Sequence, residues 1–588
     1  MTCKPVRALR SIGESSLPIA VILFALLGCS DRAIPPSPAS KPAALSGQSG
    51  PAFVQVPVAE IRAAIEACVI NGPDPALGVL TRPEQVELKE LYEREDYVPL
   101  WVDAAGRLSH SAHDALALLS RAADEGLDPA DYGQGQLDRL TAALESESPL
   151  RLLDLASFDV ALSSGMLRYL HHVHSGRVDA HTIGLGLSVP ADHHDFATLL
   201  RSAVADHRMA ETVAGLRPPL EQYGALRTML TRYRFLAGDA TREALPSFAA
   251  VVHPGEPYAG LNVLYRQLVA LGDLPAGTPA PTESTVYEGT LVEGVKRFQV
   301  RHGLETDGVL GKRTQAALRI PLAWRVRQIE LALERLRWLP HLGGERVVAI
   351  NIPMFRLWAW DSTPSKETPS LGMGVIVGRA LSTQTPVFVE HMREVIFRPY
   401  WNVPRSIARK EILPILERDP DYLRRQNMEI VRGPGDDAQA VAGTPENVAL
   451  LRQGALRVRQ RPGPQNSLGL VKFVFPNQED VYMHGTPAPE LFSRSRRDFS
   501  HGCVRVEDPV ALAEWALEDQ PEWTRDRILS AMAGTQPLHV KLLRPIPVIL
   551  FYTTTVVMPE DGTIHFAEDI YLHDARLDRA LARAHSAE

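Results

Sequence analysis

The chain lacks the features that mark a nucleic-acid-binding or a disulfide-stabilised protein. Its 588 residues carry a formal net charge of −8 and no basic stripe, so nucleic acid is not an expected partner. Four cysteines are too few for a disulfide framework in a chain of this length. Apolar residues make up 45% and charged residues 22%, which is ordinary for folded proteins, and the length predicts about two to four domains.

The sequence also has little that is long and apolar enough to span a membrane. The run Leu17–Leu27 is too short to cross a bilayer comfortably, and it follows the positively charged stretch Lys4–Arg10. Residues 1–28 are therefore predicted to be an export signal. The run ends in Leu26-Leu27-Gly28-Cys29, which resembles a bacterial lipoprotein signal and implies a lipid on Cys29. An ordinary secretory signal or an uncleaved anchor is the alternative.

The few cysteines narrow the search for a reactive thiol. Residues 29–57 are rich in proline, alanine and serine and are predicted to form a tether. Removal of Cys3 with the signal and lipidation of Cys29 would leave only Cys68 and Cys503 in the folded part. Cys68 lies in an apolar helical stretch and is interpreted as a small buried hydrophobe. Cys503 is then the candidate free thiol, with a disulfide between Cys68 and Cys503 as the open alternative.

Apolar residues at three- and four-residue spacing predict a helical scaffold domain over residues 80–250. Clear helices are expected at Ala112–Ala123 and Leu152–Val173. Five histidines lie in or after the second helix: His171, His172, His174, His193 and His194. Successive helical positions point in different directions, and no carboxylate or cysteine lies at ligand spacing. These histidines are therefore interpreted as solvated side chains, and no metal site is expected.

A compact module is predicted over residues 261–320, where a turn rich in glycine and aspartate joins two short helices. Its landmarks are Phe298-Gln299, His302-Gly303-Leu304 and Asp307-Gly308-Val309-Leu310-Gly311. These residues resemble the peptidoglycan-binding module found in many wall enzymes, and the resemblance implies binding to glycan. A helical linker that no longer binds glycan is the alternative.

Short runs of β-branched and aromatic residues begin near residue 345. They are Val347–Ile352, Leu371–Val377, Val387–Val389, Val471–Phe475 and Val481–Met483. Because no long helices separate most of them, they predict a β-sandwich-like catalytic domain over residues 345–545. Residues 405–456 interrupt the strands and are interpreted as a lid insertion, and residues 546–588 as a segment that packs on the scaffold or the catalytic domain. The predicted fold class is multi-domain α+β.

The stretch Ser500-His501-Gly502-Cys503 carries the chemistry, and it follows His484 after a gap of fifteen residues. A free thiol titrates near about pH 8.5, so a histidine must take its proton and leave a thiolate–imidazolium pair. His484 and His501 are the candidates. Gly502 lets a substrate carbonyl approach the backbone, and the N–H groups of Gly502 and Cys503 can hold an oxyanion. The residues predict acyl transfer by a cysteine nucleophile.

A histidine, a gap of about fifteen residues and Ser/Thr-His-Gly-Cys together resemble the catalytic domain of the L,D-transpeptidase (YkuD-type) family. Other matching stretches are Asn351-Ile352-Pro353, Gly378, Thr385-Pro386, Pro399–Pro404, Asn466–Gly469 and Lys472-Phe473. They fit the large multi-domain type of Gram-negative periplasms, in which scaffold and peptidoglycan-binding domains accompany the catalytic one. The resemblance implies a cofactor-free peptidoglycan L,D-transpeptidase that forms 3→3 cross-links through a Cys503 thioester.

The resemblance also assigns roles around the thiol. It implies that Cys503 is the nucleophile and His484 the general base, and that His501, Gly502 and Ser500 shape the site. Four residues are candidates for binding substrate: Arg505, Tyr482, Trp401 and Asn402. Arg505 stands where some family members have asparagine, and its alternative role is a salt bridge to Glu507 or Asp508. Packing alone is the alternative for the two aromatic residues.

Two other functions stay open. Water in place of the acceptor amine would make the same site an L,D-carboxypeptidase or hydrolase, and a non-catalytic peptidoglycan-binding scaffold protein is the third interpretation. The expected partners are peptidoglycan stem peptides and glycan, a membrane reached through the lipid on Cys29, and other wall-synthesis enzymes. The expected location is the periplasm.

Overall fold

The computed structural model describes residues 57–71, 81–103, 106–146, 151–187, 194–241, 243–246, 250–281, 285–340, 344–361 and 369–587. The predicted signal, Cys29, His193 and nearly all of the tether lie outside these residues. The described residues belong to one compact unit, Val54–Glu588. Within these ranges, no helix has both the length and the apolar character needed to cross a membrane.

The N-terminal part is helical, as predicted. Its helices are α1 (Val58–Asn71), α2 (Arg82–Glu93), α3 (His110–Ser120), α4 (Gln134–Leu144), α5 (Leu152–Ser175), α6 (Phe196–Ala205), α7 (Met209–Leu216) and α8 (Glu221–Ala237). The helix predicted at Ala112–Ala123 is α3 followed by a 3-10 turn. Helix α5 is the centre of this region, because α1, α3, α4 and α6 pack around it. Its buried Asp159 accepts hydrogen bonds from the Trp101 N–H (2.8 Å) and the Tyr92 hydroxyl (2.7 Å).

The predicted module contains α9 (Leu261–Leu271), α10 (Thr290–Arg301) and α11 (Lys312–Leu318), and α12 (Leu322–Leu336) leads from it to the strands. Gln299 fixes the turn after α10. Its amide nitrogen donates to Asp307 (2.8 Å), and its amide oxygen accepts from the Gly308 N–H (2.8 Å). Gly308 has φ 72°, a conformation that favours glycine. The Phe-Gln and Asp-Gly landmarks of the sequence are thus one hydrogen-bonded turn.

The C-terminal part is rich in strands. In chain order they are β1 (Val347–Asn351), β2 (Arg356–Trp360), β3 (Leu371–Gly378), β4 (Phe388–Phe397), β5 (Trp401–Asn402), β6 (Met428–Arg432), β7 (Gln439–Val441), β8 (Arg457–Gln460), β9 (Val471–Val474), β10 (Met483–His484), β11 (Asp498–Ser500), β12 (Val504–Val506), β13 (Leu538–Phe551), β14 (Thr555–Val557) and β15 (Ile564–Phe566). The main sheet has the order β11-β3-β12-β10-β9-β4-β13-β1-β2, and β2 also pairs with β3. This pairing closes the sheet, so the predicted strand-rich domain takes the form of a barrel-like sheet.

Strand β13 is the last strand of the barrel along the chain. It pairs with β4 on one side and, through Val548–Phe551, with β1 on the other. The strand crosses residue 545, where the sequence analysis ended the catalytic domain, so the start of the predicted C-terminal segment is part of the barrel. The remaining helices of the barrel region are α17 (Pro509–Ala516), α18 (Arg525–Ala533) and α19 (His573–Ala587). Helix α19 packs on α12.

Residues 401–460, here called the inserted subdomain, lie between β4 and β9. Strands β5, β8, β6 and β7 form their own four-stranded sheet. The helices are α13 (Arg405–Ile407), a π-helical turn at Ala408–Ile412, α14 (Leu413–Leu416), α15 (Tyr422–Arg425) and α16 (Pro445–Gln453). Buried residues such as Ile412, Ile430 and Val458 form a small core separate from that of the barrel. The insertion predicted at residues 405–456 corresponds to this subdomain.

Candidate active site

His484 ends strand β10, and Cys503 lies just before the neighbouring strand β12 of the barrel. Strand β10 runs parallel to β12, with Met483 opposite Val504 and His484 opposite Arg505. Cys503 immediately precedes β12, and the Val504 N–H donates to the Tyr482 carbonyl (3.1 Å). The two parts of the sequence motif therefore meet through strand pairing.

The loop that carries the thiol is held by Ser500. The buried Ser500 hydroxyl donates to the Cys503 carbonyl (2.5 Å) and accepts from the Gly502 N–H (3.1 Å). Gly502 has φ 120°, which L side chains rarely adopt. The Gly502 N–H is thus occupied, which corrects the expectation that it helps to hold an oxyanion. The Cys503 N–H donates to no atom in the described ranges, and it is the donor available for that purpose.

The Cys503 thiol lies against Tyr482. Burial raises the pKa of this thiol above its usual range, although hydrogen bonds from the Tyr482 backbone and hydroxyl and the positive charge of Lys472 oppose the shift. The sulfur also lies 3.8 Å from the Asp480 carbonyl oxygen. The resting group is therefore the neutral thiol. Both Cys503 and Cys68 are free thiols, so the alternative of a disulfide between them is wrong.

His484 is buried and has one defined tautomer. Its Nδ1 lies 2.6 Å from the Gly485 carbonyl oxygen. A carbonyl only accepts, so Nδ1 carries the proton and Nε2 is left as the base. Burial, and then the charge of Arg505, lower the pKa of His484 to about 3. Thiol and imidazole are both neutral at rest, in place of the thiolate–imidazolium pair that the sequence suggested.

Arg505 makes no ion pair within the described part of the chain, and its buried Nε has no acceptor there. The acidic residues proposed as its partners are engaged elsewhere. Glu507 accepts from the Gly374 N–H (2.7 Å), and Asp508 accepts from the Ala511 N–H (2.9 Å) at the start of α17. The salt-bridge alternative is therefore wrong, and the guanidinium is available to a ligand.

His501 turns toward the inserted subdomain. Its Nε2 lies 2.8 Å from a carboxylate oxygen of Glu411, on the π-helical turn. Its side chain is 30% exposed. This arrangement is consistent with a residue that shapes the site and connects the thiol loop to the subdomain.

Tyr482 joins the remaining side chains of the site. Its ring centroid lies 5.7 Å from that of His484, and Lys472 Nζ lies 3.9 Å from the Tyr482 centroid. Burial raises the pKa of Tyr482 well above its usual range, and a side-chain hydrogen bond with Trp401 opposes the shift. Asn402 is exposed on β5, opposite Arg459, and is not brought into this group.

Lys472 is the neighbour of the thiol that sequence reasoning missed. It appeared only as part of a matching motif, without a role. The feature of the sequence that could have indicated Lys472 is a single cation between apolar residues in the strand Val471-Lys472-Phe473-Val474. A lysine there must direct its charge to a specific polar environment, because an unpaired buried charge is costly.

The histidines at the end of α5 have protein partners instead of the solvent that the sequence suggested. His171 lies 2.6 Å from Glu87, His172 lies 3.1 Å from the Tyr132 hydroxyl, and His174 lies 3.2 Å from the Leu216 carbonyl. In the chain as described, no group of three or more His, Cys, Asp or Glu side chains is placed to hold a metal ion. These histidines connect helices of the scaffold.

Comparison with known proteins matches three regions of the chain. A scaffold domain model matches residues 86–230, a "Putative peptidoglycan binding domain" matches residues 261–318, and the YkuD "L,D-transpeptidase catalytic domain" matches residues 345–539. A curated Haemophilus influenzae protein named "Putative L,D-transpeptidase" is 30% identical over 253 residues, which are 43% of this chain and 49% of that protein. The chain thus spans about half the length of this relative. A crystal structure of an L,D-transpeptidase from Xylanimonas cellulosilytica covers 52% of this chain and 100% of its own, with 17% identity and a TM-score of 0.16.

The matched regions coincide with structural parts. The scaffold match spans most of α2 to α8, the second match spans α9 to α11, and the catalytic match runs from β1 into β13. The chain therefore contains an L,D-transpeptidase catalytic domain of the YkuD family, preceded by a scaffold domain and a peptidoglycan-binding domain.

Proposed function

We propose that the protein is a peptidoglycan L,D-transpeptidase that forms 3→3 cross-links through a thioester on Cys503. The observation that supports this most is the strand pairing that sets His484 beside Arg505, two residues after Cys503. It groups a thiol, an imidazole with an unprotonated Nε2 and an unpaired guanidinium. These are the nucleophile, base and carboxylate-binding group that acyl transfer from a peptide with a free carboxylate requires.

In the first step the Cys503 sulfur attacks the carbonyl carbon of the third residue of a donor tetrapeptide. His484 Nε2 takes the thiol proton, while Nδ1–H stays on the Gly485 carbonyl. The oxyanion of the tetrahedral intermediate accepts from the Cys503 N–H. The bond to the terminal D-alanine then breaks, and the departing amine receives the proton from His484. The product is a thioester on Cys503.

In the second step a side-chain amine of an acceptor stem attacks the thioester. His484 takes a proton from this amine and returns it to the sulfur, so a new amide forms and the thiol is regenerated. The covalent intermediate predicts ping-pong kinetics. Attack by water would instead release a tripeptide, which is the carboxypeptidase alternative.

Substrate charge helps to activate the base in this scheme. The free Arg505 charge lowers the pKa of His484. The donor tetrapeptide ends in the D-alanine carboxylate, whose carbon lies three bonds from the reacting carbonyl carbon, and we place this carboxylate on Arg505. Neutralisation of the guanidinium then removes part of the repulsion that keeps His484 from accepting a proton. Binding of the donor thus makes the imidazole a stronger base.

Replacing Arg505 by methionine, which keeps an apolar stem, should lower kcat/KM for the tetrapeptide about 10- to 100-fold, mainly through KM. The reason is the loss of hydrogen bonds to a charged group, which contribute about 1.5–3 kcal/mol. Steady-state D-alanine release measures it. A donor whose terminal carboxylate is amidated provides the matched test: it should be poor for the wild type and no worse for the variant. Equal KM values for both enzymes with the free acid would contradict the role.

In this scheme the inserted subdomain acts as a lid that excludes water. It reaches the site through Glu411 on His501 (2.8 Å) and Trp401 on Tyr482. On its other side Asp436 lies 2.9 Å from His539 of β13. These contacts support transfer over hydrolysis, because a closed site keeps water from the thioester.

Replacing Glu411 by alanine should raise the share of hydrolysis. A partly exposed polar contact of this kind contributes about 0.2–1 kcal/mol, so we expect the ratio of free tripeptide to cross-linked dimer to increase about 1.5- to 5-fold. Chromatography of the muropeptide products measures this ratio. Glu417→Ala is the matched control, since Glu417 pairs with Arg452 inside the subdomain. The lid role fails if both variants give the wild-type ratio.

Peptidoglycan-acting domains indicate a cell-wall, periplasmic location and peptidoglycan as a partner. A cleft of about 730 Å³ lies between the module, the barrel and the chain after β13, with Lys296, Arg313 and Arg356 in its lining. We place the glycan or its stem peptides there. Export, a lipid on Cys29 and contact with other wall-synthesis enzymes are part of the same proposal.

Product analysis tests the proposed function. Purified protein and disaccharide-tetrapeptide should yield D-alanine together with dimers linked between the third residues of two stems. Release of D-alanine with only free tripeptide would favour the carboxypeptidase. Absence of both products, with retained binding to sacculi, would favour the non-catalytic scaffold protein.

A further inference from the structure

The carbonyl of Gly502 is held by a buried hydroxyl behind the thiol loop. Thr385 Oγ1 donates to this carbonyl (2.7 Å) and accepts from the Gly378 N–H (2.8 Å). Thr385 is 1% exposed, so water does not compete for these bonds. The Thr385 hydroxyl uses its single proton on Gly502 and is therefore a fixed anchor.

The Thr385 hydroxyl sets the direction of the Cys503 N–H, a hydrogen-bond donor at the site. The Gly502 carbonyl and the Cys503 N–H belong to one planar peptide unit and point in opposite directions. Fixing the carbonyl therefore fixes the direction of the N–H. Gly502 itself, at φ 120°, has no side chain to restrict rotation of this unit. The orientation depends on hydrogen bonds from outside the loop.

A second hydroxyl holds the anchor in place. The Tyr571 hydroxyl accepts from the Thr385 N–H (3.2 Å) and donates to the Gly378 carbonyl (2.5 Å). Tyr571 is 3% exposed. Its own N–H donates to the Tyr552 hydroxyl (3.0 Å), which in turn donates to Asp569 (2.6 Å). Part of the support for the thiol loop thus comes from the chain after β13, outside residues 345–539 that the catalytic family model covers.

We infer that Thr385 and Tyr571 are positioning residues that aim the Cys503 N–H at the oxyanion. The segment after the family match then supports the active site from behind the thiol loop. The inference rests on the proposed function, because it takes Cys503 as the nucleophile. Neither residue touches the substrate; Thr385 acts through the Gly502–Cys503 peptide, and Tyr571 acts through Thr385.

Two reactions of the Cys503 thiol distinguish a misdirected Cys503 N–H from a general disruption of the site. Acylation by a strained β-lactam of the carbapenem class forms an oxyanion, whereas alkylation by iodoacetamide does not. Thr385→Val removes only the hydroxyl and should slow acylation about 10- to 100-fold, below or near the effect of deleting an oxyanion donor. Alkylation should stay within about twofold of wild type. Thr385→Ser should restore acylation, and Tyr571→Phe should slow it about 3- to 10-fold, since it acts one step further away.

Tyr92→Phe is the matched control. Tyr92 is also buried, and its hydroxyl donates to Asp159 (2.7 Å) in the scaffold domain, so its loss should leave acylation unchanged. Wild-type acylation in both Thr385→Val and Tyr571→Phe would overturn the inference. Equal losses of acylation and alkylation in Thr385→Val, not restored in Thr385→Ser, would also overturn the inference. If Thr385→Val does not fold, the acylation rate of Tyr571→Phe tests the inference. Cross-linking that persists without Cys503 would instead overturn the proposed function.

Discussion

Cross-link formation and D-alanine release should both be lost when Cys503 is replaced by alanine. We expect a decrease of at least about 10³-fold, because removal of a covalent nucleophile deletes the pathway and not one contribution to it. The Ser500 hydroxyl of the same loop should not take over the role of the thiol, because it is engaged with the Cys503 carbonyl and the Gly502 N–H. Chromatography of products from purified disaccharide-tetrapeptide measures the loss.

The same variant should keep its binding to sacculi. The peptidoglycan-binding match covers residues 261–318, and the Cys503 sulfur instead contacts Tyr482 and Asp480, which precede β10. Cys68→Ala is the matched control: Cys68 is a part-buried residue of α1, so its removal should leave turnover intact. Turnover at the wild-type rate by Cys503→Ala would exclude the mechanism.

Replacing His484 by asparagine should lower kcat about 10²- to 10⁴-fold, the usual contribution of a general base. The asparagine amide can still donate to the Gly485 carbonyl, as Nδ1–H does over 2.6 Å, so the backbone contact is kept while Nε2 is removed. The variant isolates the loss of the base from the loss of a structural hydrogen bond.

The pH dependence of the acylation rate provides a second test of His484 as the base. The pKa of His484 is lowered to about 3 and that of Cys503 is raised. The base is therefore unprotonated above about pH 3, and the thiol stays protonated through neutral pH. Wild-type kcat/KM for acylation should be nearly flat from about pH 5 to 8. In His484→Asn only the thiolate can attack, so the rate should rise about tenfold per pH unit until the thiol titrates.

Stopped-flow acylation across this range measures both profiles. A wild-type rate that falls below pH 6.5 while the protein stays folded would show that His484 titrates normally. A variant with the wild-type rate and a flat profile would show that another group is the base.

The sequence was sufficient to propose Cys503 and His484 as the reacting pair, because their chemistry is local to one motif. It could not show that β10 and β12 are adjacent and parallel, since β11 lies between them in the chain. That adjacency depends on register across the closed barrel. It also sets Arg505 opposite His484. The choice between a salt bridge and a free guanidinium, which the sequence left open, depends on the backbone N–H groups that engage Glu507 and Asp508.

The hydrogen bonds of the loop were equally inaccessible to sequence reasoning. Ser500 takes up the Gly502 N–H, so only one of the two expected oxyanion donors is available. Tyr571 reaches the site from a distant part of the chain, and Lys472 from a neighbouring strand. Spacing rules describe neighbours along a strand or helix, and they contain no information about such long-range partners.

Mass spectrometry of the protein after reaction with a carbapenem tests the thioester on Cys503 most directly. The strained β-lactam is an acyl donor that the site should accept. We expect one adduct with the mass of one antibiotic molecule, located by peptide mapping on Cys503 and absent from Cys68, and no adduct in Cys503→Ala. An adduct at another residue, or none in a preparation that still forms cross-links, would contradict the account.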